Sequence, residues 1–145
     1  MTQSMLQPYL AVSDAAAAIE VYTRVFGARE VYRLPMGDKL GHAELDIGSA
    51  RLLLSDEFPQ IGVVGPLRQE GHSVSLLLYV DDVDATVARA LEAGFTQEGE
   101  TKDEFFGDRA AKLQDPFGHR WMVHQKVETL SPEEIVGRFD EMMKG

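Results

Sequence analysis

The chain has 145 residues, with 14 Lys or Arg against 24 Asp or Glu and no cysteine. Its net charge of −10 argues against nucleic-acid binding, which needs clustered Lys and Arg. The missing cysteines exclude disulfides, thiolate–zinc sites and a cysteine nucleophile. The length fits one domain over residues 1–145. We expect a soluble, cytoplasmic protein without a membrane partner, because no signal segment opens the sequence and no apolar run approaches roughly 18 residues.

The first half of the chain predicts a strand, a helix and three further strands. A short β-favouring run ends at Asp14, whose side chain can cap the alanine-rich helix over 15–25. Gly27 is the expected terminator of this helix. Alternating polar and apolar residues then predict strands, with a Gly48-Ser49 turn before the last of them, over residues 29–35, 41–47 and 50–54.

The second half repeats this pattern. Residues 75–82 again form a β-favouring run that ends in an Asp, and a helix over 83–93 follows, with an apolar face of Val83, Val87 and Leu91. Strands over 109–113 and 120–127 flank a Pro-Gly turn at 115–118. The repeat predicts a first module over about 5–57, a linker over 58–71 and a second module over about 72–128.

Each module is expected to bury one face of its strands under its helix and to leave the other face open. Two such half-covered sheets side by side would form a trough, which is the natural binding site. A further helix is predicted over about 131–144, because Ser131, Pro132 and Glu134 form a cap, a first-position proline and a capping box. Its apolar face, which includes Phe139, must pack on the body or on a partner chain.

Two segments of the sequence carry a family resemblance. In the first segment, residues 41–48 are followed by residues 52–57. In the second, Gly107-Asp108-Arg109 is followed by residues 115–121, which have the sequence DPFGHRW. In these segments and its paired modules the chain resembles the vicinal oxygen chelate superfamily, which contains glyoxalase I, bleomycin-resistance proteins, fosfomycin-resistance enzymes and extradiol dioxygenases. The closest resemblance is to its PhnB-like branch, over about residues 5–130. The resemblance implies an α+β fold of two βαβββ modules, a homodimer, and a ligand held in the trough.

The resemblance also implies where a metal would bind. Metal-dependent members place one ligand on the first and last strand of each module, which here gives Gln7, Leu53, Ser75 and Met122. In that order, these side chains are an amide, a hydrocarbon, a hydroxyl and a thioether. Together they do not supply the several oxygen or nitrogen donors that a divalent cation needs. We therefore predict no metal and no other cofactor.

Side chains that share strand parity with these positions are the candidates for ligand contact. For His42 and Glu44 two interpretations stay open, since they either face the ligand or form a solvated face with His42 bonded to a neighbouring carboxylate. His124 is the strongest single candidate, against the alternative of a solvated or core-bonded histidine. Asp108 and Arg109 are expected to pair. No catalytic residue is identifiable, and the predicted ligand-binding residues are Gln7, Tyr9, His42, Glu44, Leu53, Ser75, Leu77, Phe106, Met122 and His124.

These observations predict metal-independent binding of a small apolar or cationic organic molecule, as in a bleomycin-type antibiotic-resistance protein. The alternative is a metal-dependent lyase, isomerase or dioxygenase with shifted ligands such as His42, Glu44 and His124. A third possibility is an interaction protein that recruits a partner through its C-terminal helix.

Overall fold

The computed structural model describes residues 3–66 and 71–145, and the chain divides into two compact units, Met1–Glu70 and Gly71–Gly145. Residues 67–70 of the predicted linker lie outside the described residues. The first part of that linker is folded, because Phe58 bridges to Val63 and one turn of 3₁₀ helix spans Pro59–Ile61.

The first unit is one βαβββ module. Its four-stranded sheet has the order β1-β4-β3-β2, in which β1 is parallel to β4 and the other neighbours are antiparallel. In chain order the elements are β1 (Tyr9–Val12), α1 (Ala15–Phe26), β2 (Arg29–Met36), β3 (Lys39–Ile47) and β4 (Ala50–Asp56).

The second unit repeats this topology and adds a helix, which confirms the predicted α+β class, the two βαβββ modules and the C-terminal helix. Its sheet has the order β5-β8-β7-β6, with β5 parallel to β8. The elements are β5 (Ser75–Tyr79), α2 (Val83–Glu92), β6 (Thr96–Asp103), β7 (Asp108–Gln114), β8 (Arg120–Lys126) and α3 (Pro132–Lys144). The trough predicted from the sequence stays a prediction.

The two module helices begin as the sequence predicts. The side chain of Asp14 accepts a hydrogen bond from the Ala17 backbone N–H, and Asp82 accepts one from Ala85. These bonds satisfy N–H groups that have no partner within the helix. At the other end of α1, Gly27 adopts the left-handed conformation, with a φ of 69°, which glycine adopts without steric cost.

A second hydrogen bond ties each helix to the last strand of its own module. The buried Asp56 of β4 accepts the Ala15 N–H at 2.9 Å through Oδ1 and the Leu40 N–H at 2.6 Å through Oδ2. In the second unit, Gln125 of β8 accepts the Val83 N–H at 2.9 Å. Each module thus orients its helix by a side chain from its fourth strand.

Strand alternation divides the sheets into a core face and an open face. In β3, Ala43 and Leu45 are fully buried, and in β8, Trp121 and Val123 lie in the core. The predicted helix face of α2 is wrong at one position. Leu91 is 48% exposed, and Ala90 is buried in its place, because a period of 3.6 residues per turn places Ala90 nearer than Leu91 to the buried line through Val83 and Val87.

The C-terminal helix has the predicted capping box, in which Ser131 and Glu134 each accept the backbone N–H of the other. No residue of α3 is buried. On its apolar side, the Phe139 ring lies 5.7 Å from the Phe105 ring. In the described parts of the chain, the helices are too short or too polar to cross a membrane.

We predict that Asp56→Asn lowers the free energy of unfolding by about 1–3 kcal/mol, because an amide can accept only one of the two N–H groups and turns its own N–H toward the other. The matched control is Asp14→Asn on the same helix, which is expected to cost close to nothing because Asn caps a helix as well as Asp does. Urea unfolding of both variants measures the difference. Equal losses in the two variants would contradict the proposed role of Asp56.

Candidate functional site

The open face of the first unit carries a chain of hydrogen bonds. The Tyr9 hydroxyl lies 2.6 Å from Nδ1 of His42, and Nε2 of His42 lies 2.9 Å from Oε2 of Glu44. Because the Glu44 carboxylate only accepts, Nε2 of a neutral His42 carries the proton and Nδ1 accepts from Tyr9. Both nitrogens of this imidazole therefore have protein partners.

Glu44 is the centre of this cluster. The Tyr32 hydroxyl donates to its Oε2 at 2.8 Å, and Arg51 donates to its Oε1 at 2.7 Å. The hydrogen bond from His42 is the largest influence, followed by those from Tyr32 and Arg51, and together they lower the pKa of Glu44 to about 2. Glu44 is thus a carboxylate with donors on both of its oxygens.

Two predicted site residues lie next to this cluster. Leu53 of β4 is opposite Tyr9 on one side and opposite Glu44 on the other, so it occupies the middle of the open face. Gln7 lies before β1 rather than within it, and its Nε2 donates to the Met5 sulfur at 3.2 Å. The prediction that Gln7 belongs to the first strand is therefore wrong.

The open face of the second unit is organised by Asp108, which is 2% exposed. Its Oδ2 accepts the Tyr79 hydroxyl at 2.6 Å and lies 2.9 Å from Nδ1 of His124. Burial alone would raise the pKa of Asp108, but the hydrogen bonds from Tyr79 and His124 outweigh it and the pKa lies below its ordinary value. The expected pairing of Asp108 with Arg109 is wrong, because Arg109 binds Asp84 and Asp103.

His124 is only 3% exposed, and it is held on three sides. Its Nδ1 faces Asp108, the Tyr79 ring contacts it edge-on at 5.7 Å, and the Phe106 ring stacks on it at 5.8 Å and 23°. Its other nitrogen, Nε2, is buried and has no hydrogen-bond partner among the residues described. Of the two alternatives for His124, the structure thus shows a core-bonded Nδ1 together with an unsatisfied Nε2.

A cavity of about 440 Å³ opens beside His124. Its lining combines an aromatic ring, a thioether and a methyl group with three carboxylates and two ammonium groups. The lining residues are Glu98, Gly99, Glu100, Lys102, Glu104, Phe106, Ala110, Lys112, Met122 and His124. The structure therefore brings together the predicted residues Phe106, Met122 and His124.

The positions implied for a metal do not fit one. The Ser75 hydroxyl accepts a hydrogen bond from the Arg120 guanidinium at 2.9 Å, so a fixed positive charge stands beside it. Leu53 has no donor atom, and Met122 offers only a soft sulfur. Across residues 3–66 and 71–145, no group of three His, Asp or Glu side chains could hold a metal ion. The alternative with His42, Glu44 and His124 as shifted ligands stays a prediction.

Leu77 and Ser75 lie on the same strand as Tyr79 but do not line this cavity. Leu77 is opposite Met122 and half of its surface is exposed, while Ser75 is opposite Arg120. Arg120 in turn binds Glu98 at 2.8 Å. Ser75 and Leu77 therefore belong to the open face around the cavity.

Sequence reasoning missed Tyr32 and Arg51 in the first unit. Arg51 could have been found, because the two-residue Gly48-Ser49 turn sets the register that places Asp46 opposite Arg51. The pairing of Tyr32 with Glu44 follows a register shift in β2, and no pattern in the sequence signals it.

Comparison with known proteins gives a family and a fold. A family model described as the Glyoxalase/Bleomycin resistance protein/Dioxygenase superfamily matches residues 4–123. An uncharacterized protein from Mycobacterium bovis is 41% identical over 134 residues, which cover 90% of this chain and 88% of the relative.

Solved structures are also similar. The crystal structure of TioX from Micromonospora sp. ML1 is 26% identical, has a TM-score of 0.65, and the match covers 86% of this chain and 99% of TioX. The fosfomycin resistance protein FosX from Listeria monocytogenes, solved with Mn(II) and sulfate, is 17% identical, with a TM-score of 0.69 and coverage of 96% and 99%. At this identity, the similarity to FosX shows the fold alone.

We predict that Glu44→Gln makes stability less sensitive to acid. The pKa of Glu44 in the folded protein is about 2, against an ordinary value of 4.5. Its contribution to stability is therefore complete above about pH 4.5 and is lost as the pH falls toward 2. Denaturant unfolding at about pH 5 and about pH 3 should show a smaller fall in the variant than in the wild type.

The control for this measurement is Glu20→Gln, which changes an exposed glutamate of α1. Its acid sensitivity should match that of the wild type. If Glu44→Gln also retained the full acid sensitivity, the cluster would not hold Glu44 in its ionised form.

Proposed function

Because the chain belongs to the Glyoxalase/Bleomycin resistance protein/Dioxygenase superfamily, we propose that it binds a small, flat organic molecule in the cavity of the second unit without using a metal. The PhnB-like branch, a homodimer, a cytoplasmic location and a role in antibiotic resistance by sequestration are parts of the same proposal. The DPFGHRW segment that ends in Trp121 supports the PhnB-like assignment.

The observation that carries the proposal is the chemistry of the cavity beside His124. A volume of about 440 Å³ lies within the usual range for small-molecule sites, which are mostly apolar with a few fixed polar groups. Phe106 offers an aromatic face, Met122 a polarisable thioether, and Ala110, which is opposite His124, only a methyl group. This is a surface for a flat ring system.

The net charge of the chain favours a cationic ligand. At the cavity, Glu98 pairs with Arg120 and Glu104 with Lys102, so the favourable field comes from the net charge of −10 on the whole chain. A positive ring stacked on Phe106 would also gain a cation–π contribution. The negative field would raise the local concentration of such a molecule, most strongly at low salt.

Metal independence is supported by the donor set. The Arg120 guanidinium at Ser75 places positive charge where the family resemblance would put a metal ligand. A ligand of this chain would then be held by protein groups without a bridging metal ion.

We predict that 3,6-diamino-10-methylacridinium, a flat organic cation, binds the protein with the same dissociation constant before and after dialysis against EDTA. Fluorescence titration measures the binding, and elemental analysis of protein purified without chelator measures the metal content. One transition metal per chain, together with loss of dye binding on chelation, would contradict the proposal.

A further prediction concerns Phe106. Phe106→Leu should weaken binding of the same dye about fivefold to tenfold, because leucine keeps the apolar volume but removes the aromatic face. Phe139→Leu is the matched control, since Phe139 lies on α3 and does not line the cavity. Equal affinities of the two variants would place the dye elsewhere.

A further inference from the structure

We infer that Nε2 of His124 is a hydrogen-bond acceptor that selects ligands with an N–H or O–H group at the edge of a flat ring. The inference rests on the proposed function, because it names the chemical class of ligand that the same cavity takes. It assigns to His124 the role of a specificity-determining residue.

The hydrogen bonds of Asp108 fix the tautomer of His124. Oδ2 of Asp108 lies 2.9 Å from Nδ1, and an ionised carboxylate can only accept. The Tyr79 hydroxyl donates to the same oxygen, which favours the ionised form. Nδ1 therefore carries the proton of the neutral imidazole, and Nε2 keeps a lone pair.

That lone pair has no partner in the protein. Nε2 is buried and makes no hydrogen bond with the described residues, whereas buried polar atoms in folded proteins nearly always have a partner. The first unit gives the contrast, because both nitrogens of His42 are hydrogen-bonded. The His124 ring is fixed, but its acceptor nitrogen is unsatisfied. We therefore expect a ligand to supply the hydrogen-bond donor.

The surroundings of His124 have room for such a donor. His124 lines the cavity, and the residue opposite it in the register of β7 and β8 is Ala110, whose side chain is a single methyl group. His124 and Phe106 line the same cavity, so a planar ligand bound there would lie beside the histidine ring. An amino or hydroxyl group at the edge of that ligand is the donor that we expect at Nε2.

An organic donor fits this site better than a metal ion. A carboxylate behind a histidine also occurs in metal sites, but a metal on Nε2 would need further ligands. The described residues contain no group of three that could supply them. A ring N–H or O–H needs one acceptor only.

The test compares two dyes with the same flat cationic ring. The first is 3,6-diamino-10-methylacridinium, which has N–H donors, and the second is 3,6-bis(dimethylamino)-10-methylacridinium, which has none. The wild type should bind the first about tenfold more tightly, because the second leaves the buried acceptor unpaired.

The variant for this test is His124→Asn. Its side-chain amide keeps an N–H near the position of Nδ1, so Asp108 retains a donor, while the acceptor at Nε2 is removed. The variant should bind both dyes with similar affinity. If the variant still prefers the diamino dye tenfold, the inference is overturned.

A measurement on the wild type alone keeps the inference testable if the His124→Asn variant does not fold. In ¹⁵N NMR of the free protein, Nδ1 of His124 should have the resonance of a protonated nitrogen and Nε2 that of an unprotonated one. The Nε2 resonance should move upfield on addition of the diamino dye and stay in place with the tetramethyl dye. A proton on Nε2 in the free protein would overturn the inference.

The remaining outcomes separate this inference from the proposed function. Binding of both dyes with no change at Nε2 would leave the proposed function intact and overturn the role of His124. Binding of neither dye would overturn both. Zn²⁺ alone should leave the Nε2 resonance unchanged, and a shift with Zn²⁺ but with neither dye would identify a metal ligand instead.

Discussion

The open face of the second unit depends on one buried carboxylate. Asp108 of β7 receives the hydroxyl of Tyr79 from β5 and faces Nδ1 of His124 on β8, so a single group joins three strands on the side away from the helix. Two donors keep the carboxylate charged where burial alone would favour the neutral acid. Loss of either donor would leave that charge poorly compensated in a nearly water-free position. The orientation of the imidazole, and with it the shape of the cavity wall, follows from this one requirement.

The two modules carry the same kinds of side chain on their open faces but differ in how these side chains are hydrogen-bonded. In the first unit, His42 is bonded through both nitrogens and Glu44 through both oxygens, so the polar atoms of these two side chains have partners within the unit. In the second unit, the carboxylate is satisfied but the imidazole keeps one nitrogen without a partner in the described chain. The two copies of the fold thus differ in the hydrogen bonding of their open-face histidine. Arg138 of α3 donates a hydrogen bond to the backbone carbonyl of Phe105, the neighbour of the cavity residue Phe106.

Local signals made most of the fold predictable. Asp14 and Gly27 bracket the first helix because capping and left-handed backbone are properties of single residues. The alternation in β3 gave the correct core face because the side-chain period of a strand is two. The partners of Asp108 were not predictable, since the neighbouring Arg109 is the obvious choice and the true donors come from strands that only the sheet order brings together. The error at Leu91 has a different cause, because a spacing of four residues drifts off the buried face, which follows the 3.6-residue period to Ala90.

The hydrogen bonds of Asp56 and Gln125 have a consequence for how the chain folds. Asp56 caps a helix whose first residue lies 41 positions earlier, and for Gln125 the separation is 42. The entropy lost on closing a loop grows with the logarithm of its length, so these two closures differ by only about 0.02 kcal/mol. Each closure uses residues of one unit alone. Forming this contact therefore has nearly the same entropic cost in the two halves, so loop length favours neither of them.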